Sequence, residues 1–235
     1  MQQADVGVLL AINGLAGTWA LLDEVVQYVS WQNLLKGIPV MVLWWGLWWW
    51  SSPDQVRMRA GLLSTLACAV VAIFVGRGLN LMLPFRPRPL HDPGVDTILP
   101  IGATERTLDG WSSMPSDHAV LFFALAAGMF AVHRAIGYGL FAHAMLVVSL
   151  PRVFMAYHYP TDIIVGALLG CTITVLIWPR VFAAIQGSRV FAFERSHSHI
   201  VYPFLFLLTW QAGTMFAASR SVVSAAWQTV RLVMS

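Results

Sequence analysis

Three short stretches of this chain carry side chains suited to handling a phosphoryl group: Phe85-Arg86-Pro87-Arg88-Pro89, Pro115-Ser116-Asp117-His118, and Arg152 followed by His158 and Asp162. Arg86, Arg88 and Arg152 offer planar forks of donors that match phosphate oxygens. His158 is of the type that attacks phosphorus as a neutral imidazole, and Asp162 is spaced to hold its other nitrogen. His118 supplies a second imidazole to protonate a leaving oxygen and then activate water. Ser116 and Asp117 fall where a helix would open, so free backbone N–H groups and the helix dipole form an anion site there, with the Ser116 hydroxyl as a further donor. Each residue has a duller reading. Arginines near the end of a membrane span are often interfacial anchors, Pro151 and Pro160 punctuate helices, Asp162 is a good N-cap, and His118 is an ordinary polar residue at a helix start. The combination outweighs them. Pro-Ser-x-His and Arg-x5-His-x3-Asp co-occur by accident in roughly one chain in several thousand of this length.

Composition says where such a site must live. Hydrophobic residues make up 58% of the chain and charged residues 11%, and mean hydropathy is +0.69. A soluble domain carries about 25% charge and could not keep this much apolar surface from water. The net charge of +3 is small, with several arginines already claimed by the motifs, so nucleic acid is excluded as a partner. Cys68 and Cys171 each lie alone inside an apolar run and read as packed thiols. Asp5 stands where a signal peptide would be basic, so no removed leader is expected.

Six apolar runs are candidates to cross a bilayer: 34–50, 60–83, 118–132, 138–155, 163–182 and 200–217. About 20 helical residues cross the hydrocarbon core, so the first and third need flanking residues. Segment 6–29 mixes Asn13, Asp23, Glu24 and Gln27 with leucines and valines, which suits a helix lying in the interface. The expected fold is therefore an all-α, polytopic membrane bundle of about six transmembrane helices. An interfacial helical region at 1–33 precedes the bundle at 34–217, and a tail follows at 218–235. Trp44, Trp45, Trp48, Trp49 and Trp50, at the end of the first span, read as an aromatic belt. Alternating topology puts all three motif stretches on one membrane face. Arg57, Arg59, Arg134, Arg180, Arg189 and Arg195 fall on the opposite face, whereas Lys36, Arg106, Arg220 and Arg231 share the motif face. That bias makes the motif face external, in a multi-pass protein of a bacterial inner membrane.

These motifs resemble those of the type 2 phosphatidic acid phosphatase superfamily, whose pattern is Lys-x6-Arg-Pro, Pro-Ser-Gly-His and Ser-Arg-x5-His-x3-Asp. Arg88-Pro89 match the first, Pro115, Ser116 and His118 the second, and Arg152, His158 and Asp162 the third, over residues 60–182. Three departures stand out: Leu81 replaces the lysine, Asp117 the glycine and Pro151 the serine. Arg77, one helical turn before Leu81, and Arg86 are the candidates to replace the missing cation.

The resemblance implies a lipid phosphate or diphosphate as substrate and the bilayer as surroundings. Undecaprenyl diphosphate, cleaved to the monophosphate, is the first choice. Phosphatidate, phosphatidylglycerol phosphate, a lipid A phosphate and a phosphotransferase reaction stay open, as does a channel or transporter built around intramembrane Arg77. No cofactor is needed, since arginines supply the positive charge that a metal hydrolase takes from its ions. His143 reads as a packing residue, Ser196-His197-Ser198-His199 as a weak metal tract on the opposite face, and His91 and Asp92 as residues at the mouth of the site.

Overall fold

The computed structural model describes residues 2–101, 103–104, 107–108 and 110–216. Among them every regular element is helical. They are α1 (Gln2–Asn13), α2 (Ala20–Trp31), α3 (Asn33–Trp49), α4 (Gln55–Met82), α5 (Asp117–Val132), α6 (Arg134–His143), α7 (Leu150–Phe154), α8 (Pro160–Gln186), α9 (Val190–Ser196) and α10 (Ser198–Gly213). Each of the six expected apolar runs falls largely on helix, the last of them as far as Gly213. Three stretches are long and apolar enough to cross a membrane: Gln55–Met82, Arg134–Phe154 and Pro160–Gln186. The other three, α3, α5 and α10, have 17, 16 and 16 residues. This is a membrane protein. Arg106 and the tail at 218–235, with Arg220 and Arg231, lie outside the described residues.

Local sequence sets the helix ends that matter for the site. α4 stops before Pro84, which drives Leu83 into an extended conformation (φ −76°, ψ 155°). α5 opens at Asp117 with Ser116 in the N-cap position. α8 opens on Pro160, whose missing N–H costs nothing there, and the Asp162 carboxylate accepts the Tyr159 backbone N–H at 2.8 Å. Between α6 and α7 the helix widens into a π-turn, Ala144–Ser149. Pro151 follows closely; it has no N–H to donate and its ring crowds the carbonyl one turn back, which the wider turn accommodates.

α5 is the hub. It packs against α4, α6 and α8, and residues 119 to 126 are buried throughout. Its approach to α8 is close because α8 presents glycines: a Cβ at Gly170 would stand 2.2 Å from the Val120 carbonyl oxygen, and one at Gly166 2.8 Å from that of Ser116. Small residues that let backbones meet are the membrane answer to packing without a hydrophobic driving force. The same device joins α3 to α10, where a Cβ on Gly37 would meet the Gly213 carbonyl oxygen at 2.2 Å.

Two sequence expectations need correction. Trp44 and Trp48 are not belt residues: both are 1% exposed, their rings stack at 5.0 Å, and the Trp44 indole donates to the Leu62 carbonyl at 3.1 Å. Helical spacing turns these two to one inward face; Trp49 and Trp50 remain exposed. In the N-terminal region Asn13 and Asp23 face protein, not a headgroup layer, whereas Glu24 is exposed. Asn13 donates to the Phe154 carbonyl at 2.8 Å and accepts from the Ile98 N–H at 2.7 Å. Asp23 accepts from the Gly17 and Ile101 N–H groups at 2.9 Å each. α1 and α2, at 12 residues each, are too short to span.

Candidate active site

One cavity of about 570 Å³ opens where the starts of α3 and α5 meet the ends of α4, α7 and α10. The three motif stretches converge at this one end of the bundle. Arg77, Arg88, Asp117, His118, Arg152 and His158 all line it, together with Lys36.

His158 lies in the short connection between α7 and α8, which reverses through Ala156 in the left-handed region (φ 52°). Its backbone N–H donates to the Arg152 carbonyl at 3.3 Å, coupling the third motif's arginine to its histidine. The ring is 4% exposed. Nδ1 lies 2.8 Å from the Ser113 carbonyl oxygen, which only accepts, so Nδ1 carries the proton. Nε2 faces the Arg88 guanidinium at 3.2 Å; arginine only donates, so Nε2 presents its lone pair. Burial, above all, pushes the imidazole below its ordinary range; Asp162 opposes that shift, and the Arg88 and Arg152 charges reinforce it. The ring is thus neutral, with its free nitrogen turned into the cavity.

Asp162 stands 3.6 Å from Nδ1, beyond a direct hydrogen bond. The Ser113 carbonyl is the closer holder, and Asp162 supports the ring electrostatically from behind while capping α8. Wholly buried, its Oδ1 accepts from Arg86 at 2.6 Å. Arg86 also donates to Asp5 at 2.8 Å and to the Thr161 hydroxyl at 2.9 Å, and its guanidinium lies 4.1 Å over the Tyr159 ring. It does not line the cavity. The expected phosphate contact is corrected to a support behind Asp162, anchored to α1 through Asp5. Asp92 accepts the Tyr159 hydroxyl at 2.6 Å, which gives that residue a place in the same support.

Arg88 is held by backbone oxygens. Nε donates to Trp111 at 3.1 Å, Nη1 to Tyr157 at 2.7 Å and Nη2 to Ser112 at 3.3 Å. Arg152 Nη2 meets His118 Nε2 at 2.6 Å, so this nitrogen accepts and is unprotonated. Arg152 Nε is buried with no hydrogen-bond partner among the described residues. Arg77 pairs with Asp117 at 3.2 Å, which neutralises a carboxylate that would otherwise repel an anion. Ser116 is buried, its hydroxyl has no partner among the described residues, and it does not line the cavity. The expected Ser116 donor is therefore corrected to the N-cap position of α5, its N–H bonded to the Asp162 carbonyl at 3.2 Å.

Sequence reasoning missed Asp5, Ser113 and Lys36. Backbone acceptors such as Ser113 leave no sequence signal. Lys36 did leave one: it is the chain's only lysine and falls on the motif face. His143 donates to the Lys36 carbonyl at 2.9 Å. His197 and His199 do not line the cavity, and no group of three His, Cys, Asp or Glu among the described residues is placed to ligate a metal.

Residues 60–186 match the PAP2 superfamily. The chain belongs to that superfamily, and its class is that of the membrane lipid phosphatases. It is 25% identical over 192 residues to the bacitracin transport permease protein BcrC of Bacillus licheniformis, covering 81% of this chain and 87% of that one. It is 26% identical over 151 residues to the putative undecaprenyl-diphosphatase YbjG of Escherichia coli (strain K12), covering 63% and 69%. No solved structure matches.

Proposed function

We propose that this protein spans a bacterial inner membrane six times and hydrolyses an isoprenoid diphosphate, undecaprenyl diphosphate above the others, to the monophosphate on the outer face. Phosphate would bind between Arg88 and Arg152, drawing the Arg152 guanidinium away from His118. His158 Nε2 attacks the terminal phosphorus; the bond from phosphorus to the bridging oxygen breaks, and His118, protonated once freed, gives that oxygen its proton. Water then attacks the phosphohistidine, passes a proton to His118 and releases inorganic phosphate. The developing charge is met by fixed guanidiniums, the term that dominates phosphoryl transfer.

The observation that carries this reading is the neutral His158, its lone-pair nitrogen beside Arg88, in one cavity with His118 and an Arg152 donor that has no partner among the described residues. The substrate rests on the Escherichia coli relative, a putative undecaprenyl-diphosphatase, and on apolar walls at the mouth, where Trp31, Leu81 and Trp111 are exposed. The Bacillus relative's name carries a transport reading, which does not account for two oriented imidazoles.

The test is phosphate release by the purified protein from undecaprenyl diphosphate, phosphatidate, phosphatidylglycerol phosphate and lipid A, with and without chelator. Fastest release from the diphosphate, unchanged by chelation, is expected, because the cavity's charged groups are mainly cations. A rate abolished by chelation and restored by a divalent ion overturns metal independence; a preference for phosphatidate overturns the substrate.

Topology is tested by single cysteines at Thr104 and Ser188, both exposed, in a background without Cys68 and Cys171. An impermeant maleimide is expected to label Thr104→Cys in intact cells and to spare Ser188→Cys. The reverse pattern puts catalysis on the cytoplasmic side.

A further inference from the structure

Lys36 is a buried amine that nothing so far explains. It lies in the first turns of α3, is 1% exposed and lines the cavity. Its Nζ donates to the Ser30 carbonyl at 2.7 Å, which leaves further N–H donors. Among the described residues no carboxylate pairs with it, although the arginines Arg59, Arg77 and Arg86 all have one. Arg152 lines the same cavity. A buried ammonium without a counter-ion costs several kcal/mol, so an amine placed here among arginines is matched to an anion that enters the cavity. Its position is built, not incidental. Gly37 lets α3 meet α10 at backbone contact, and His143 holds the Lys36 carbonyl.

We infer that Lys36, delivered from α3, is a third phosphate-binding residue of the cavity, contacting the substrate's phosphoryl oxygens alongside Arg88 and Arg152. The inference rests on the phosphatase reading for the identity of the ligand, but the anion site itself does not. Orthovanadate, which resembles phosphate when four-coordinate and the phosphoryl-transfer transition state when five-coordinate, probes the site without turnover.

Three measurements test it. Lys36→Met is expected to lower kcat/KM for the best lipid phosphate by roughly 10- to 100-fold, the loss of one charge-assisted hydrogen bond. Orthovanadate inhibition should weaken by a similar factor at unchanged melting temperature, and Lys36→Arg should recover part of both. If Lys36→Met keeps more than half of both, or loses activity with vanadate inhibition intact, Lys36 does not contact the phosphoryl group. Should Lys36→Met fail to fold, the wild-type protein serves. An amine-acylating reagent should modify Lys36 and inactivate in step, as read by mass spectrometry of its peptide, and orthovanadate should slow the modification. Acylation without loss of activity, or at a rate vanadate leaves unchanged, overturns the proposal. If no lipid phosphate is hydrolysed yet vanadate still protects Lys36, the anion site stands and the phosphatase reading falls.

Discussion

Replacing His158 with alanine is expected to abolish phosphate release, by more than about a thousandfold, in a protein that still extracts and folds. The expectation follows from geometry. Nε2 is the nitrogen free to attack, the proton sits on Nδ1 against the Ser113 carbonyl, and burial keeps the ring neutral. Water entering the vacated space would lack both the nucleophilicity and the position. Activity above a tenth of wild type rules His158 out as the nucleophile. A second measurement is sharper. Alkaline quenching of the wild-type protein during turnover should trap phosphate on His158, and His118→Ala should slow both its formation and its hydrolysis, because the acid and the base are one residue. The pH profile has a definite sign: a nucleophile held below the usual imidazole range loses activity to protonation only at correspondingly lower pH. Asp162→Asn is milder than a triad would suggest, about 10- to 100-fold, since the Ser113 carbonyl still holds the tautomer.

The parts that chemistry constrains most were the most legible in the sequence. Type and spacing single out His118, Arg152 and His158, and all three line the one cavity. Direction was not legible. Arg86 and Arg88 look equivalent in Arg-Pro-Arg-Pro, yet Arg88 adopts φ −71° and ψ 151°, close to polyproline II with three residues per turn. In that geometry side chains two apart diverge, and one arginine enters the cavity while the other passes behind Asp162. The tryptophan run misled differently. A belt is a statement about composition, whereas Trp44 and Trp48, one turn apart, share a helix face that α4 and α10 cover. Asn13 and Asp23 suggested an interface because their partners, the carbonyl of Phe154 and the N–H groups of Ile98 and Ile101, are remote in sequence. Lys36 was missed for the same reason: α3 reaches the cavity only through tertiary packing.

Arg86→Ala is expected to cut activity roughly 100-fold, far more than Arg77→Ala. Asp162 is wholly buried and Asp5 nearly so, and Arg86 bonds both. Removing one partner of a buried pair costs about 3–5 kcal/mol, because the charges left behind are unpaired; the 27% exposure of the Arg86 side chain lowers that figure. What is lost is placement. Without Arg86 the Asp162 carboxylate either takes up a proton or moves toward water, and the α8 cap and His158 ring move with it. Arg77 pairs with Asp117 where both side chains are more than a quarter exposed, a setting worth about 0–1 kcal/mol, so its removal should cost under about tenfold. The mechanism is separable from direct phosphate contact by a double-mutant cycle. If Arg86 acts through Asp162, adding Asp162→Asn to Arg86→Ala costs little more than the worse single change, because both break one unit. Orthovanadate should still bind to Arg86→Ala within a fewfold of wild type. Leu81→Lys should not rescue it, since Leu81 is 86% exposed on the cavity rim and a lysine there cannot support a carboxylate behind His158. Additive losses with weakened vanadate binding would instead make Arg86 a phosphate ligand and require its guanidinium to leave Asp162 when substrate arrives.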